Sequence, residues 1–305
     1  MRQRPTLVLL GFLLCLLSSV FCLLSVLATV IFPGTLLPMT PYLARIEIFP
    51  IKSMDGVAVP QVRVLESGAL ACDRAHALFD AQNRFINGKR TAAIHRIRTT
   101  FDETLSAVTC QAEGDADAST FHLPHQRREL EAWLSHFFQQ PVTLATNATA
   151  GFPDDTQAAG PTVISTATLE TVASWYADLS IDEVRRRFRT NLEIGGVPPF
   201  WEDRLFSADG QPVPFTIGDV VLEGVNPCQR CIVPTRDADT GQATPDFQKI
   251  FRDQRTATLP EWTHPGRFNH FYRLAVNTNI RGQSGKTLKL GDFIRRAIYQ
   301  VQPEK

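Results

Sequence analysis

Residues 226–241 read NPCQRCIVPTRDADTG, a run that holds two thiols, two arginines and two carboxylates. A thiolate is a soft metal ligand and a strong nucleophile, and a guanidinium beside it, as Arg230 stands beside Cys231, favours the charged form. Several chemistries fit Cys228 and Cys231. A structural zinc needs two more ligands, and the near ones, His264 and His270, sit at a spacing unlike the common zinc patterns. A thioredoxin-like pair needs to open a helix in a βαβ context, whereas this pair follows a strand and precedes extended residues. A metal or sulfur site built on a single cysteine is a third reading, and two inert thiols at a strand end a fourth.

The elements that must position this run are mostly strands. From Tyr42 the segment YLARIEIFPI alternates Leu43, Arg45 and Glu47 against Ala44, Ile46 and Ile48, which predicts a half-buried strand. A hairpin follows over residues 76–86, with Leu78 and Phe79 in one arm, Phe85 and Ile86 in the other, and turn residues at 80–83. AAIHRIRTTF and TLSAVTCQA extend the meander, so residues 42 to about 124 read as an antiparallel β domain, closed or nearly closed to remove free edges. Leu130, Trp133, Leu134 and Phe137 then mark one face of an amphipathic helix that ends before Pro141.

In the second half, TVISTATLETVASWYADL predicts a strand turning into a helix, with Thr168 as N-cap and a helix start able to hold an anion. Ser180 and Glu183 have capping-box spacing, so a second short helix carries Arg185, Arg186 and Arg187 to Arg189. Part of that charge run is expected to be solvated, with Arg189 pointing into a site where helix yields to strand. Residues 217–221 and 290–294 share an apolar-Gly-Asp-apolar-apolar core and read as tight turns entering barrel strands. The stretch 242–270 looks poorly ordered, and FIRRAIYQ reads as a basic helical tail.

Residues 6–32 contain no charge and no proline, enough apolar length to span a bilayer, and longer than the apolar core of a cleaved signal peptide. They predict a retained membrane anchor over residues 1–34, ahead of β-rich units at 42–160 and 161–305. Arg2 and Arg4 precede it, which by charge bias sets the N-terminus in the cytoplasm. The bias rests on two arginines and the free N-terminus, so the side that the folded part faces stays open. The chain has 31 Lys and Arg against 31 Asp and Glu, a balance that gives no pull towards nucleic acid. Six cysteines scattered over 305 residues form no disulfide framework.

Several separated motifs occur in order: FPIKSMDGV, CDRAHALFDAQNRFINGKR, ISTATLETV, RFRTNLEIGG with FWEDRL, CQRCIVPTRDADTG and LKLGD. On these, the sequence from about Tyr42 to Ile294 resembles the MOSC superfamily, named for the molybdenum cofactor sulfurase C-terminal domain. Within it the sequence resembles the branch of the mitochondrial amidoxime-reducing component. The resemblance implies a β-rich α+β fold: a MOSC N-terminal β-barrel-like domain, then a MOSC β-barrel domain with a few packed helices. It also implies a molybdenum-molybdopterin cofactor (Moco), with Cys231 as metal ligand and catalytic centre. Cofactor-binding positions transfer to Lys52, Ser53, Arg74, Thr168, Arg189, Arg230 and Cys231, with Ser165 and Asn191 as softer candidates. The implied activity is reduction of small N-hydroxylated or N-oxide substrates with electrons from a separate donor protein. A second reading within the superfamily is a sulfur-carrier or cofactor-handling module with a persulfide on Cys231. The chain departs from the family pattern at Thr190, where proline is frequent, at Asn269, where glycine is common after phenylalanine, and at Pro234, which bears on the shape of the substrate pocket.

Overall fold

The computed structural model describes residues 40–296, so the anchor expected over residues 1–34 lies outside the described residues. Among the described residues no helix is long and apolar enough to cross a membrane. In chain order come β1 (Tyr42–Ile48), β2 (Val57–Ala58), β3 (Gln61–Arg63), β4 (His76–Phe79), β5 (Ile97–Phe101), β6 (Ala107–Ala112), β7 (Ser119–His122), α1 (Arg127–Phe138) and β8 (Thr143–Thr146). Then follow β9 (Val163–Ser165), α2 (Thr166–Ser174), α3 (Ile181–Phe188), β10 (Leu192–Gly195), β11 (Val213–Ile217), β12 (Val220–Gln229), α4 (Phe247–Ala257), β13 (Arg273–Asn279), β14 (Thr287–Lys289) and β15 (Ile294–Arg296).

Eight strands make one sheet in the order β15-β11-β12-β13-β9-β10-β1-β2. Neighbours run antiparallel except β9 and β10, whose parallel pairing is bridged by the crossover through α2 and α3. The sheet closes on itself. Tyr42 bridges Phe293 just ahead of β15; the Leu43 N–H donates to the Asp292 carbonyl at 2.9 Å, and the Gly291 N–H to the Leu43 carbonyl at 2.8 Å. A strand from the start of the chain is therefore the last stave of a barrel built mainly from the second half. Closure removes the free edges that an open sheet would expose.

The barrel interior holds Leu43, Ile46, Ile48, Val163, Leu192, Ile194, Phe215, Ile217, Val220, Leu222, Val276 and Ile294, none more than 3 % exposed. Each such burial is worth about 1.5–3 kcal/mol of transfer free energy. Strict alternation in β1 would have separated Leu43 from Ile46 and Ile48. The β1–β10 register instead shifts between Leu43 and Arg45, a bulge that turns all three inward.

A second core, with Leu78, Ile97, Val108, Cys110, Leu130, Leu134 and Leu144, lies among the β5-β6-β7 sheet, the β4-β8 pair and α1. Helix α1 buries Leu130 and Leu134 fully and Trp133 and Phe137 in part, the face its periodicity predicts. A third core packs Leu169, Val172, Val184, Phe188, Phe247 and Phe251 of α2, α3 and α4 against Tyr272 and Leu274.

Residues 42–124 do not form one closed antiparallel meander, because their short strands find partners elsewhere in the chain: β1 and β2 join the eight-stranded sheet, β3 pairs with β14 and β4 with β8, which leaves β5-β6-β7 as a separate sheet. Three local expectations also need correction. Residues 294–296 are strand, because they pair with Phe215, Thr216 and Ile217 of β11; the rest of the expected basic helix lies outside the described residues. The stretch read as poorly ordered contains α4, whose Phe247, Phe251 and Arg255 recur every four residues on one buried face. The N-cap of α2 is Ser165, whose side chain accepts the Thr168 N–H, which puts Thr168 inside the first turn.

Candidate functional site

At the barrel end where β1 and β12 stop and β10 and β13 begin, a cavity of about 810 Å³ opens. Each strand end delivers part of its wall. Lys52 and Ser53 follow β1, Arg189 and Asn191 join α3 to β10, Gln229 to Cys231 leave β12, and Arg273 opens β13. The loop at 150–160 covers another side and contributes Asp154 and Asp155. Of the positions the motifs single out, Lys52, Ser53, Arg74, Arg189, Asn191, Arg230 and Cys231 all line this one space.

Thr168 and Ser165 do not line it. Both are fully buried, their hydroxyls 2.7 Å apart. Thr168 Oγ1 also accepts from the Phe200 N–H at 2.6 Å and donates to Glu202 at 3.1 Å. With those partners the Thr168 side chain fastens α2 to the FWEDRL segment and has nothing left for a ligand. Beside it, Glu202 is 1 % exposed; burial, with neighbouring Asp203, pushes its carboxyl up to about 7.

Eight Lys and Arg side chains line the cavity against three aspartates. Several cations are already paired: Lys52 and Lys89 converge on Asp154 at 2.9 and 3.2 Å, Arg74 pairs with Asp73, and Arg187 with Glu183 at 2.8 Å. Arg189 is different. Among the described residues it meets no carboxylate within 4 Å, its buried Nη2 has no acceptor, and its guanidinium lies 4.1 Å over the Phe49 ring. Burial first, then the Arg74 charge, lowers it to about 10. A half-buried guanidinium with a buried, idle donor suits an anion.

Backbone strain collects at the same place. Ser53, Arg74 and Arg189 have φ of 71°, 50° and 54°, in the left-handed region that costs a residue with a side chain about 1–2 kcal/mol. Arg189 does so as the residue that ends α3, with its N–H on the Arg185 carbonyl. Such conformations persist where surrounding contacts over-determine them, and here they swing three polar side chains to one wall.

Arg230 stacks 5.3 Å over the Phe188 ring, donates to the Phe188 carbonyl, and leaves its buried Nε unpaired. Its Nη1 lies 3.2 Å from Cys228 Sγ, so the guanidinium adjacent to Cys231 in sequence touches the other thiol. Both cysteines are free and half-buried. Among the described residues no group of three or more His, Cys, Asp or Glu is placed to hold a metal, so His264 and His270 do not complete a zinc site with the pair. No helix follows them; Val233–Thr235 is a single 3-10 turn.

The DADTG end of the motif is locked. Asp237 Oδ1 accepts the N–H of Asp239 and of Thr240 and the Thr240 hydroxyl, which hold its carboxyl below the usual range against partial burial. Asp239 binds Arg186 at 2.6 Å and Arg98 at 3.0 Å, and Gly241, at φ 71°, lies so close to the Ala92 carbonyl that a side chain there would collide with it. The arginine run before Arg189 is therefore not a solvated face. Arg185 pairs with Glu193 of β10 at 2.7 Å, Arg186 with Asp239 of the 237–241 loop, and Arg187 with Glu183 one turn back on α3.

Lys89, His95, Asp154, Arg267 and Arg273 also line the cavity, and none was singled out from the sequence. Only Lys89 lay within a quoted motif; His95 and Asp154 are lone residues in a strand-like segment and a loop, with no spacing signal. Burial, reinforced by Arg189 and Arg236, lowers His95 to about 4, and its Nε2 is buried without a partner. Partial burial would raise Asp154, but Lys52 and Lys89 outweigh it and hold the carboxyl well below the usual range.

Comparison with known families and proteins agrees with this architecture. Residues 40–178 match the MOSC N-terminal beta barrel domain, and residues 159–294 match the MOSC domain. A molybdenum cofactor sulfurase of Caenorhabditis elegans is 32 % identical over 82 residues, 27 % of this chain and 11 % of that protein. One of Caenorhabditis briggsae is 30 % identical over 80 residues, 26 % of this chain and 10 % of that protein. The matched segment thus spans about a tenth of the length of these curated relatives. Residues 40–294 consist of a MOSC N-terminal beta barrel domain followed by a MOSC domain, distantly related to the molybdenum cofactor sulfurases.

Proposed function

We propose that the chain is a molybdenum-cofactor oxidoreductase that reduces N-hydroxylated or N-oxide substrates. The observation that carries this reading is Arg189, half-buried with a buried Nη2 that has no acceptor, in the same cavity as a half-buried free Cys231. The donor set fits an anionic, sulfur-rich pterin cofactor. Arg189, Arg230 and Arg74 would take its phosphate, Lys52 and Ser53 its polar edge, and Cys231 would give the metal a third soft sulfur beside the dithiolene. Bound there, the cofactor would supply a centre that exchanges two electrons with substrate.

The overall reaction breaks the substrate N–O bond; the oxygen leaves as water, and two electrons and two protons are consumed. The chain's part is to orient and exclude. Arg187 and Arg189 are fixed by α3, the locked 237–241 loop holds Arg186 and Arg187 of that helix, and the 150–160 loop forms one wall of the cavity. The electrons come from a separate donor protein, and the uncharged run at residues 6–32 anchors the chain to a membrane.

A second reading, a sulfur-handling module that carries a persulfide on Cys231, draws on the similarity to proteins named as sulfurases. One experiment separates the two. The full-length chain, purified from cells that make the cofactor, is assayed for reduction of an N-hydroxylated amidine by chemically reduced viologen, and Cys231 is examined by mass spectrometry. Turnover with an unmodified thiol is the expected result; no turnover with sulfane sulfur on Cys231 overturns the reductase reading in favour of the second.

A further inference from the structure

The barrel has two unlike ends. The cavity occupies one, where β1 ends and β10 begins. At the other, Tyr42, Leu290 and Phe293 are 41, 45 and 55 % exposed, three of the five large apolar side chains exposed among the described residues. They form one patch, because Tyr42 bridges Phe293 and the Leu290–Phe293 turn is hydrogen-bonded to Leu43 at 2.8 and 2.9 Å. Exposed Lys289, Arg295 and Arg296 flank them, with half-buried Asp292 between Leu290 and Phe293 and exposed Asp219 on the adjoining turn.

The described residues begin at this end, with Thr40 just ahead of β1. Seven residues lie between Phe32 and Thr40, and the eight steps joining them reach at most about 28 Å, so the patch is within reach of the uncharged run. Apolar and aromatic side chains with more exposed basic than acidic neighbours match the interfacial layer of a bilayer that carries anionic headgroups.

We infer that the Tyr42–Leu290–Phe293 patch rests on an anionic lipid surface and holds the barrel upright, with the cavity mouth turned away from the membrane. This rests on the membrane-anchor part of the function proposed above. Seven residues of β1 put roughly 20 Å between patch and cavity. Substrate and electron donor accordingly meet the site from the aqueous phase and not along the bilayer.

The test uses the full chain, reconstituted into phosphatidylcholine vesicles with a minority of phosphatidylserine. The photo-crosslinker p-benzoylphenylalanine is placed at position 293, at 290, or, as control, at exposed Ala116 in the acidic loop after β6. All three positions are exposed, and circular dichroism checks the fold. The expected result is flotation with the vesicles, lipid adducts at 293 and 290, and none at 116. A chain that floats without a lipid adduct at 293, or with equal adduct at 116, overturns the patch while leaving the anchor intact. So does a cross-link from 293 to the chain's own residues 33–39. A chain that does not float overturns both.

Discussion

Asp154 is the residue whose removal is most informative, because its carboxylate already sits where an anionic ligand would. It holds Lys52 and Lys89 at 2.9 and 3.2 Å and repels any second anion brought to the same cations. Asp154→Asn is predicted to tighten pyrophosphate binding about tenfold, the scale of one charge-assisted hydrogen bond regained; calorimetric titration that finds unchanged or weaker binding contradicts this. Glu202 gives a pH signature. Its carboxyl stands at about 7 when folded against 4.5 unfolded, so the folded state holds the extra proton. Its stabilising effect is full below about pH 4.5 and is lost as pH rises towards 7, in all by roughly 3 kcal/mol. His95, lowered to about 4 from 6.5, acts in the opposite sense, losing stability as pH falls from 6.5 to 4. Glu202→Gln is therefore predicted to gain stability relative to wild type progressively from pH 4.5 to 7 in denaturant titrations, and a difference independent of pH contradicts the assignment. At this scale the sequence was readable only where residues fell in motifs. Cys231, Arg189 and Lys52 stand out by type and neighbours, whereas Asp154 and His95 become site residues only once a loop and a strand fold over the cavity.

Among the elements, α3 does the most positioning. It begins on Ser180, whose side chain accepts the Glu183 N–H, and ends on Arg189 in a left-handed conformation. Between them it sends Arg187 to Glu183 and Arg186 to the DADTG loop. Ser180→Ala is predicted to lower the unfolding free energy by about 1 kcal/mol through loss of the cap, with β15 and the barrel interior unaffected in hydrogen exchange and faster exchange confined to α3. Global acceleration would mean that α3 does not open on its own. Capping and periodicity made α1 and α3 legible. Helix α4 was hidden because its buried face includes Arg255, whose charge is met by Asp203 far away in sequence. The phase of β1 was hidden because a bulge breaks its alternation.

For the molecule as a whole, the barrel closes through a strand supplied by the first residues of the folded chain, and that closure creates both ends. One gathers strand termini around the cavity; the other exposes Tyr42, Leu290 and Phe293. Neither was visible in the sequence, since the order of staves depends on pairing between residues some 250 positions apart, Tyr42 with Phe293. The β-rich character and the motif order were visible, because alternation and turn residues are local. The central claim is that this cavity holds a molybdenum cofactor through one of two adjacent thiols. It is tested most directly by molybdenum per chain in the full-length protein and in Cys231→Ala and Cys228→Ala, each purified from cofactor-producing cells. Near-stoichiometric metal is expected in wild type and in Cys228→Ala, with its loss in Cys231→Ala. Folded wild type without molybdenum, or equal loss in both variants, contradicts it.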